Sequence, residues 1–208
     1  MKQGIAPNKY FIAIYTCDRK SYCENMFFTR IKQIAKGNPV HIVDNSFDLY
    51  YYKKLVSRYS FDNFTFYHLD IPKGNYQFLR NVAESVNFLR NIFLKTDYQN
   101  FLIIESDVIP PVDLLEQFDN TQIPEDAGIL GALYYKNHHD FSKSGLQKVD
   151  HALSGCTVYK KKLIKKYSFR WSIEDLGAFP DAWMCADCVN DFSMWDNNDI
   201  ICKHLNYM

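Results

Sequence analysis

The chain has 208 residues, 47% of them hydrophobic and 23% charged, which is enough for one domain with a sizeable core. Its 24 Lys plus Arg balance 24 Asp plus Glu, which excludes a nucleic-acid binder held by bulk positive charge. No apolar run reaches the about 18 residues that a membrane span needs, and no apolar leader opens the chain. A cytoplasmic protein is therefore expected, with its six cysteines as reduced thiols.

Strand-like and helix-like runs alternate along the first two thirds. Tyr10–Thr16 (YFIAIYT) reads as a short apolar strand and Tyr22–Lys36 as an amphipathic helix. Val40–Asp44 (VHIVD) is a second strand, Leu49–Tyr59 a second helix, and Phe64–Leu69 alternates at period two. Over Tyr76–Leu94, Leu79, Val82, Val86, Leu89 and Phe93 recur at three- and four-residue steps, one stripe of a long helix. Phe101–Glu105 (FLIIE) is apolar on both faces, as expected of a central strand in a parallel sheet. A short helix is predicted at Val112–Phe118, after Pro110-Pro111, and a strand at Ala127–Tyr135. Asn137–Lys148 reads as a polar loop, Cys156–Tyr159 as a strand, and Lys160–Lys166 as a helical turn whose lysines form a solvated face. Such alternation predicts an α/β fold built on βαβ units.

In open α/β sheets, ligands sit beyond the carboxyl ends of the strands. The first strand ends in Thr16-Cys17-Asp18-Arg19, the second in Asp44-Asn45-Ser46, and the fourth in Glu105-Ser106-Asp107. Together these make a rim of acids and small polar groups. No Gly-rich loop follows the first strand, so the dinucleotide fingerprint and the Walker loop are both absent. Bound phosphates would need another counter-charge, and a hard cation such as Mg²⁺ or Mn²⁺ on Glu105 and Asp107 would supply it.

These motifs resemble the GT-A glycosyltransferases, whose signature is a DxD-type triplet at a strand end. YFIAIYTCDR resembles their first strand and nucleotide-contacting turn, VHIVDNS the second strand, Arg80-Asn81 an RN pair on the long helix, and LIIESDV the metal strand. The resemblance covers essentially the whole chain. It implies a single GT-A (Rossmann-like) domain over 1–208, with a mixed, mostly parallel sheet flanked by helices. Residues 1–111 would bind the nucleotide sugar and 112–208 would form the acceptor side. It also implies a UDP-linked donor, contacted by Thr16, Cys17, Asp18, Arg19, Asp44, Asn45, Arg80, Asn81, Glu105 and Ser106, with Asp44 accepting from the base. Mn²⁺ or Mg²⁺ would sit on Glu105, Asp107 and His204. Glu105 replaces the first Asp of the triplet, which puts the main weight on Asp107. DAWMC (Asp181–Cys185) resembles the opening of the acceptor-side helix. Asp181 is then the candidate general base, Asp150 and Asp187 its substitutes, and Trp183 a sugar-stacking wall. The family's Gly after that helix is replaced by Asn190-Asp191, which tolerates a left-handed conformation. The implied acceptor is a glycan or glycoprotein. More narrowly, YYK, NYQFLRN and ESDVIPP resemble the N-terminal domain of chlorovirus capsid-glycan glycosyltransferases, which implies rhamnosyl transfer and a module of a longer viral protein.

Other readings stay open at this point. Cys185-x-x-Cys188 with Cys202-x-His204 has the spacing of a structural zinc site. The same domain could bind a nucleotide or sugar without turnover. A nucleotidyltransferase also uses strand-end acids, but it would normally bring an early Gly-rich basic loop. His138-His139-Asp140 reads as an exposed loop, His151 as a loop histidine or a residue beside an acceptor sugar, and Tyr50-Tyr51-Tyr52 as packing or a sugar platform.

Overall fold

A computed structural model describes residues 9–72, 77–134, 144–152, 155–172 and 178–205. The first strand, β1 (Tyr10–Thr16), is followed by a 3₁₀ turn (Asp18–Lys20) and α1 (Glu24–Ala35). Then come β2 (Val40–Asp44), α2 (Leu49–Tyr59), β3 (Phe64–His68), α3 (Gln77–Phe93) and β4 (Asn100–Ile104). The remaining elements are β5 (Val108–Ile109), α4 (Leu114–Asn120), β6 (Ala127–Tyr134), β7 (Leu146–Val149), β8 (Cys156–Lys160), α5 (Lys161–Lys166), α6 (Pro180–Cys188) and β9 (Ser193–His204).

One mixed sheet runs in the order β3-β2-β1-β4-β8-β6-β9-β5, with β7 also on β9. The pairs β3-β2, β2-β1 and β1-β4 are parallel, as is β6-β9. β8 is antiparallel to both its neighbours, and β7 and β5 are antiparallel to β9. β4 is thus central, as its apolar run predicts, but it is parallel only on its β1 side.

Period two divides each central strand between two cores. Tyr10, Ile12 and Ile14 of β1, with Leu102 and Ile104 of β4, pack on one face against Phe27, Phe28, Ile31 and Ile34 of α1 and Leu55 of α2. Phe11 and Ala13, with Phe101 and Ile103, pack on the other against Val82, Val86, Leu89 and Phe93 of α3, and against α5 and α6. Strands buried on both faces need helices on both faces, and the predicted stripe of α3 is the stripe that is buried. Buried Glu24 of α1 accepts from Lys54 at 2.7 Å and Arg58 at 2.9 Å, both on α2, which compensates its charge.

Two expectations need correction, and one strand was not foreseen. The predicted loop at Asn137–Lys148 reaches into β7, because Leu146–Val149 finds a partner in β9, nearly fifty residues away. β5 is too short to show periodicity and exists only through its pairing with β9. Asn190 and Asp191 do not take the left-handed conformation. Lys36, at the C-terminus of α1, is the non-Gly residue with positive φ among those described. The turn after α6 closes instead through Asp191 N–H and Phe192 N–H donating to the Cys188 carbonyl. The lysines of α5 are tied by Lys161 to the Thr96 carbonyl, Lys162 to the Glu125 carbonyl and Lys166 to Asp191, a solvated face as expected.

Gly128 of β6 lies where α5 and the segment before β9 close on the sheet. A Cβ there would stand 2.7 Å from Phe192 Cβ and 2.6 Å from Leu163 Cδ1. Gly128→Ala is expected to lower unfolding free energy by about 1–3 kcal/mol through overpacking. Chemical denaturation should show the loss as a lower midpoint with an unchanged slope.

Candidate metal and donor site

The carboxyl ends of β1, β2 and β4 open on one side of the sheet onto a cavity of about 440 Å³. After β4 the chain turns at Glu105-Ser106-Asp107, closed by Val108 N–H donating to the Glu105 carbonyl at 2.9 Å. β5 then pairs with the end of β9, Val108 opposite His204, and Leu205 N–H donates to the Asp107 carbonyl at 2.8 Å. This pairing brings a histidine nearly a hundred residues away onto the acidic turn. One ligand atom each from Glu105, Asp107 and His204 lies within 4.8 Å of the others.

Asp107 is the centre of the site, with only 3% of its surface exposed. Its Oδ2 is contacted by Lys20 Nζ and lies 3.7 Å from His204 Nε2, while its buried Oδ1 has no hydrogen-bond partner. An unpaired carboxylate oxygen in such surroundings is costly unless a further donor or cation meets it. Tyr15 Oη donates to Glu105 Oε1 at 2.8 Å. Burial first, and then the Glu105 charge, push the Tyr15 phenol well above its ordinary value, so it stays a neutral donor. Burial also raises the Cys23 thiol to about 11 and the Tyr22 phenol to about 12, with Asp107 adding to both.

The first helix loop is set from below by β2. Asp44 is fully buried and accepts from Ser46 N–H at 3.1 Å, Ser46 Oγ at 2.5 Å and His68 Nδ1 at 2.8 Å. Ser46 Oγ in turn accepts from Asp18 N–H at 2.7 Å. A side arm beyond this loop is lined by Asp18, Ser46, Phe47, Asp70 and Gln77. On the opposite wall, Asp181 in the first turn of α6 faces His151 Nε2 at 3.3 Å. Phe78 of α3 and Phe179 meet edge to face, centroids 5.8 Å apart, at the mouth, where each is about half exposed.

No protein-family model and no curated protein matches this sequence. Solved structures do match by shape. S. aureus TarS 1-349 in complex with UDP-GlcNAc superposes with a TM-score of 0.69 at 13% identity, over 96% of this chain and 59% of that one. The complex of TarS 1-349 with UDP gives 0.66 at 13% identity, over 94% and 60%. A putative glucose-1-phosphate thymidylyltransferase from Bacillus anthracis, in complex with sucrose, gives 0.53 at 12%, over 95% and 88%. The chain has the GT-A fold. It spans about six tenths of the length of those TarS chains.

Of the expected residues, Thr16, Cys17, Arg19, Asn45, Asn81, Glu105, Ser106, Asp107, Asp181 and His204 line this GT-A cavity, and Asp18 lines the side arm. Three do not. Asp44 faces inward with its oxygens engaged, so it orders Ser46 and the Asp18 turn and has no face toward a base. Arg80 is turned along its own helix to Glu84, Nε to Oε1 2.6 Å, while Asn81 faces the cavity. Asp150 is exposed outside the cavity, and its neighbour His151 lines it instead.

Two further readings change. The Arg170 guanidinium lies over the Trp183 ring at 3.6 Å, and Asp187 holds Arg170 through two 2.7 Å contacts, so both residues are engaged with Arg170 and neither lines the cavity. Cys185 and Cys188 are buried in the α3/α6 core, Cys202 in the core across the sheet, and His204 beside Asp107, so they form no zinc site. The cysteines are small core residues, with burial raising Cys185 to about 12 and Cys188 to about 11. Trp195 packs against the core and Tyr51 lies in it, while Tyr52 meets the His68 ring and Tyr50 is exposed, so the expected packing holds for part of that cluster; His138-His139-Asp140 lies outside the described residues.

Lys20, Tyr15 and Phe78 were not foreseen. Lys20 follows Arg19 in a strand-end loop, and a basic pair opposite an acidic rim was the available signal.

Asp181 raises the histidine value at His151, mainly by accepting its hydrogen bond. The stabilisation from that pair is fully present below the ordinary histidine value of about 6.5 and is lost as pH rises through the raised one. Melting curves of the parent should therefore fall toward those of His151→Gln across that window. Parallel pH profiles for the two proteins would exclude the pair.

Proposed function

We propose that this protein is a metal-dependent glycosyltransferase that moves a sugar from a nucleoside-diphosphate donor to a glycan or glycoprotein acceptor. The observation that carries this reading is the convergence of Glu105, Asp107 and His204 within 4.8 Å on a cavity that also reaches Asp181. The UDP and UDP-GlcNAc complexes of TarS support a UDP-linked donor by analogy of fold. UDP-glucose and UDP-rhamnose are the donors to try first, the latter from the chlorovirus resemblance. Residues 1–111 would supply most of the donor site, completed by His204, and 112–208 most of the acceptor side, with Phe78 added from α3.

A divalent cation fits the residues present. Of the donor set, the two carboxylates suit a hard cation such as Mn²⁺ or Mg²⁺ that shares a diphosphate, and the imidazole favours Mn²⁺ over Mg²⁺. The buried Asp107 Oδ1 has no other partner. When bound on Glu105, Asp107 and His204, the cation would supply Lewis-acid stabilisation of the leaving diphosphate.

The chain's own groups do the rest. Arg19 and Lys20 line the cavity and offer fixed positive charge to the diphosphate. The side arm between Ser46, Phe47, Asp70 and Gln77 offers a place for the base. Tyr15 holds Glu105 and keeps one of its oxygens oriented. Asp181 would take the proton of the attacking acceptor hydroxyl, with His151 fixing its carboxylate. Its side chain does not cap α6, whose N-cap is Phe179, which leaves the carboxylate available for that work. Phe78 and Phe179 present half-exposed apolar rings against which an acceptor pyranose would pack. The nucleotidyltransferase reading gains nothing from this site, because the loop after β1 has no glycine.

A thermal-shift panel of nucleotides with and without Mn²⁺ tests the donor site, since a ligand that binds only the folded state raises apparent stability. UDP with Mn²⁺ is expected to raise the melting temperature of the parent. Asp107→Ala should abolish that shift, and His204→Ala should reduce it less. An unchanged shift in both variants would show that the cation lies elsewhere.

Asp181→Asn separates catalysis from binding. Transfer to acceptor should fall by about 10²–10⁴-fold, with donor affinity unchanged. Near-normal transfer would remove Asp181 as the base, and donor binding without any transfer in the parent would leave a binding module.

A further inference from the structure

We propose that Lys20 is the resident counter-charge of the cation site. It holds Asp107 while no divalent cation is bound, yields the carboxylate to the cation, and then pairs with the donor diphosphate. The inference rests on the cation and donor reading above and assigns a role to a residue outside the ligand set.

Asp107 is almost fully enclosed, and its Oδ2 is held by Lys20 Nζ, with His204 Nε2 3.7 Å away. Lys20 is the lysine that the structure places directly on this carboxylate, with His204 farther off. A buried carboxylate left without an opposite charge is strongly unfavourable, and Lys20 supplies that charge in the absence of a cation.

A divalent cation on the same carboxylate would meet the ammonium at close range, and like charges there exclude one another. Lys20 has somewhere to go. It sits at the end of a 3₁₀ turn, its side chain is 31% exposed, and it lines both the main cavity and the groove beside it. A lysine is a point charge on a flexible stem, so the ammonium can change partner without moving the backbone. In that position it would face the diphosphate oxygens that enter with the cation.

This arrangement predicts effects of opposite sign from one substitution. By calorimetric titration, Lys20→Met is expected to bind Mn²⁺ alone about tenfold tighter than the parent, because the competitor is gone. The same variant should bind UDP in saturating Mn²⁺ about tenfold more weakly. Lys20→Arg, which keeps the charge, should stay near the parent in both titrations. In the parent itself, amine labelling read at Lys20 by mass spectrometry should rise on adding Mn²⁺ and fall again on adding UDP.

Several results would overturn the proposal. If Lys20→Met binds Mn²⁺ no tighter than a parent that does bind it, the lysine does not compete, and only this proposal fails. The same holds if Lys20→Arg behaves like Lys20→Met, or if labelling of the parent ignores Mn²⁺. If neither parent nor variant binds Mn²⁺, the proposal falls together with the cation reading.

Discussion

A carboxylate sealed at the end of an apolar strand must be compensated, and the functional face of this protein is organised around that requirement. Burial of an uncompensated Asp107 would be unfavourable by several kcal/mol. Four groups from two distant stretches of chain meet it or its turn: Tyr15 through Glu105, Lys20 and Cys23 from the end of β1 and the loop after it, and His204 from the end of β9. None of these contacts is local. The acidic turn is held in place by the whole sheet.

The sheet makes this possible because its central strands are apolar on both faces. β1 and β4 are sealed by α1 and α2 on one side and α3, α5 and α6 on the other. Only the strand ends can then carry polar chemistry, and the parallel β2-β1-β4 pairing puts three such ends at one edge. Antiparallel β8 reverses the chain between β4 and β6, so β6 and its parallel partner β9 run in the direction of β4, and β9 ends at the same edge with His204. Four strand ends of one direction produce one site.

The two walls of the cavity have different chemistry. The wall built by β1, β2 and β4 holds the acids, Lys20, Arg19 and Asn45, suited to a diphosphate and its cation. The wall built by α6 and the segment before β8 holds the Asp181–His151 pair, with Phe179 beside it. Phe78 and Phe179 close the mouth between them. The proposed function would use the first wall for the donor and the second for the acceptor hydroxyl.

By itself the sequence determined the elements whose signal is local. The stripe of α3, the apolar runs of β1 and β4 and the acids at their ends follow from periodicities of 3.6 and 2, which any window of the chain displays. The chemistry of the acidic turn was legible for the same reason, since Glu105 and Asp107 sit in one triplet. What only the tertiary structure decided is the direction of each side chain and the meeting of distant ones. Asp44 and Arg80 sit at the expected places in the chain, yet one turns into the core and the other along its helix. Cys185, Cys188 and Cys202 have metal-like spacing but lie on two faces of a sheet. Lys20 carries no mark in the sequence beyond its charge. It becomes part of the site because folding buries Asp107 beside it, and a buried charge takes the nearest opposite one.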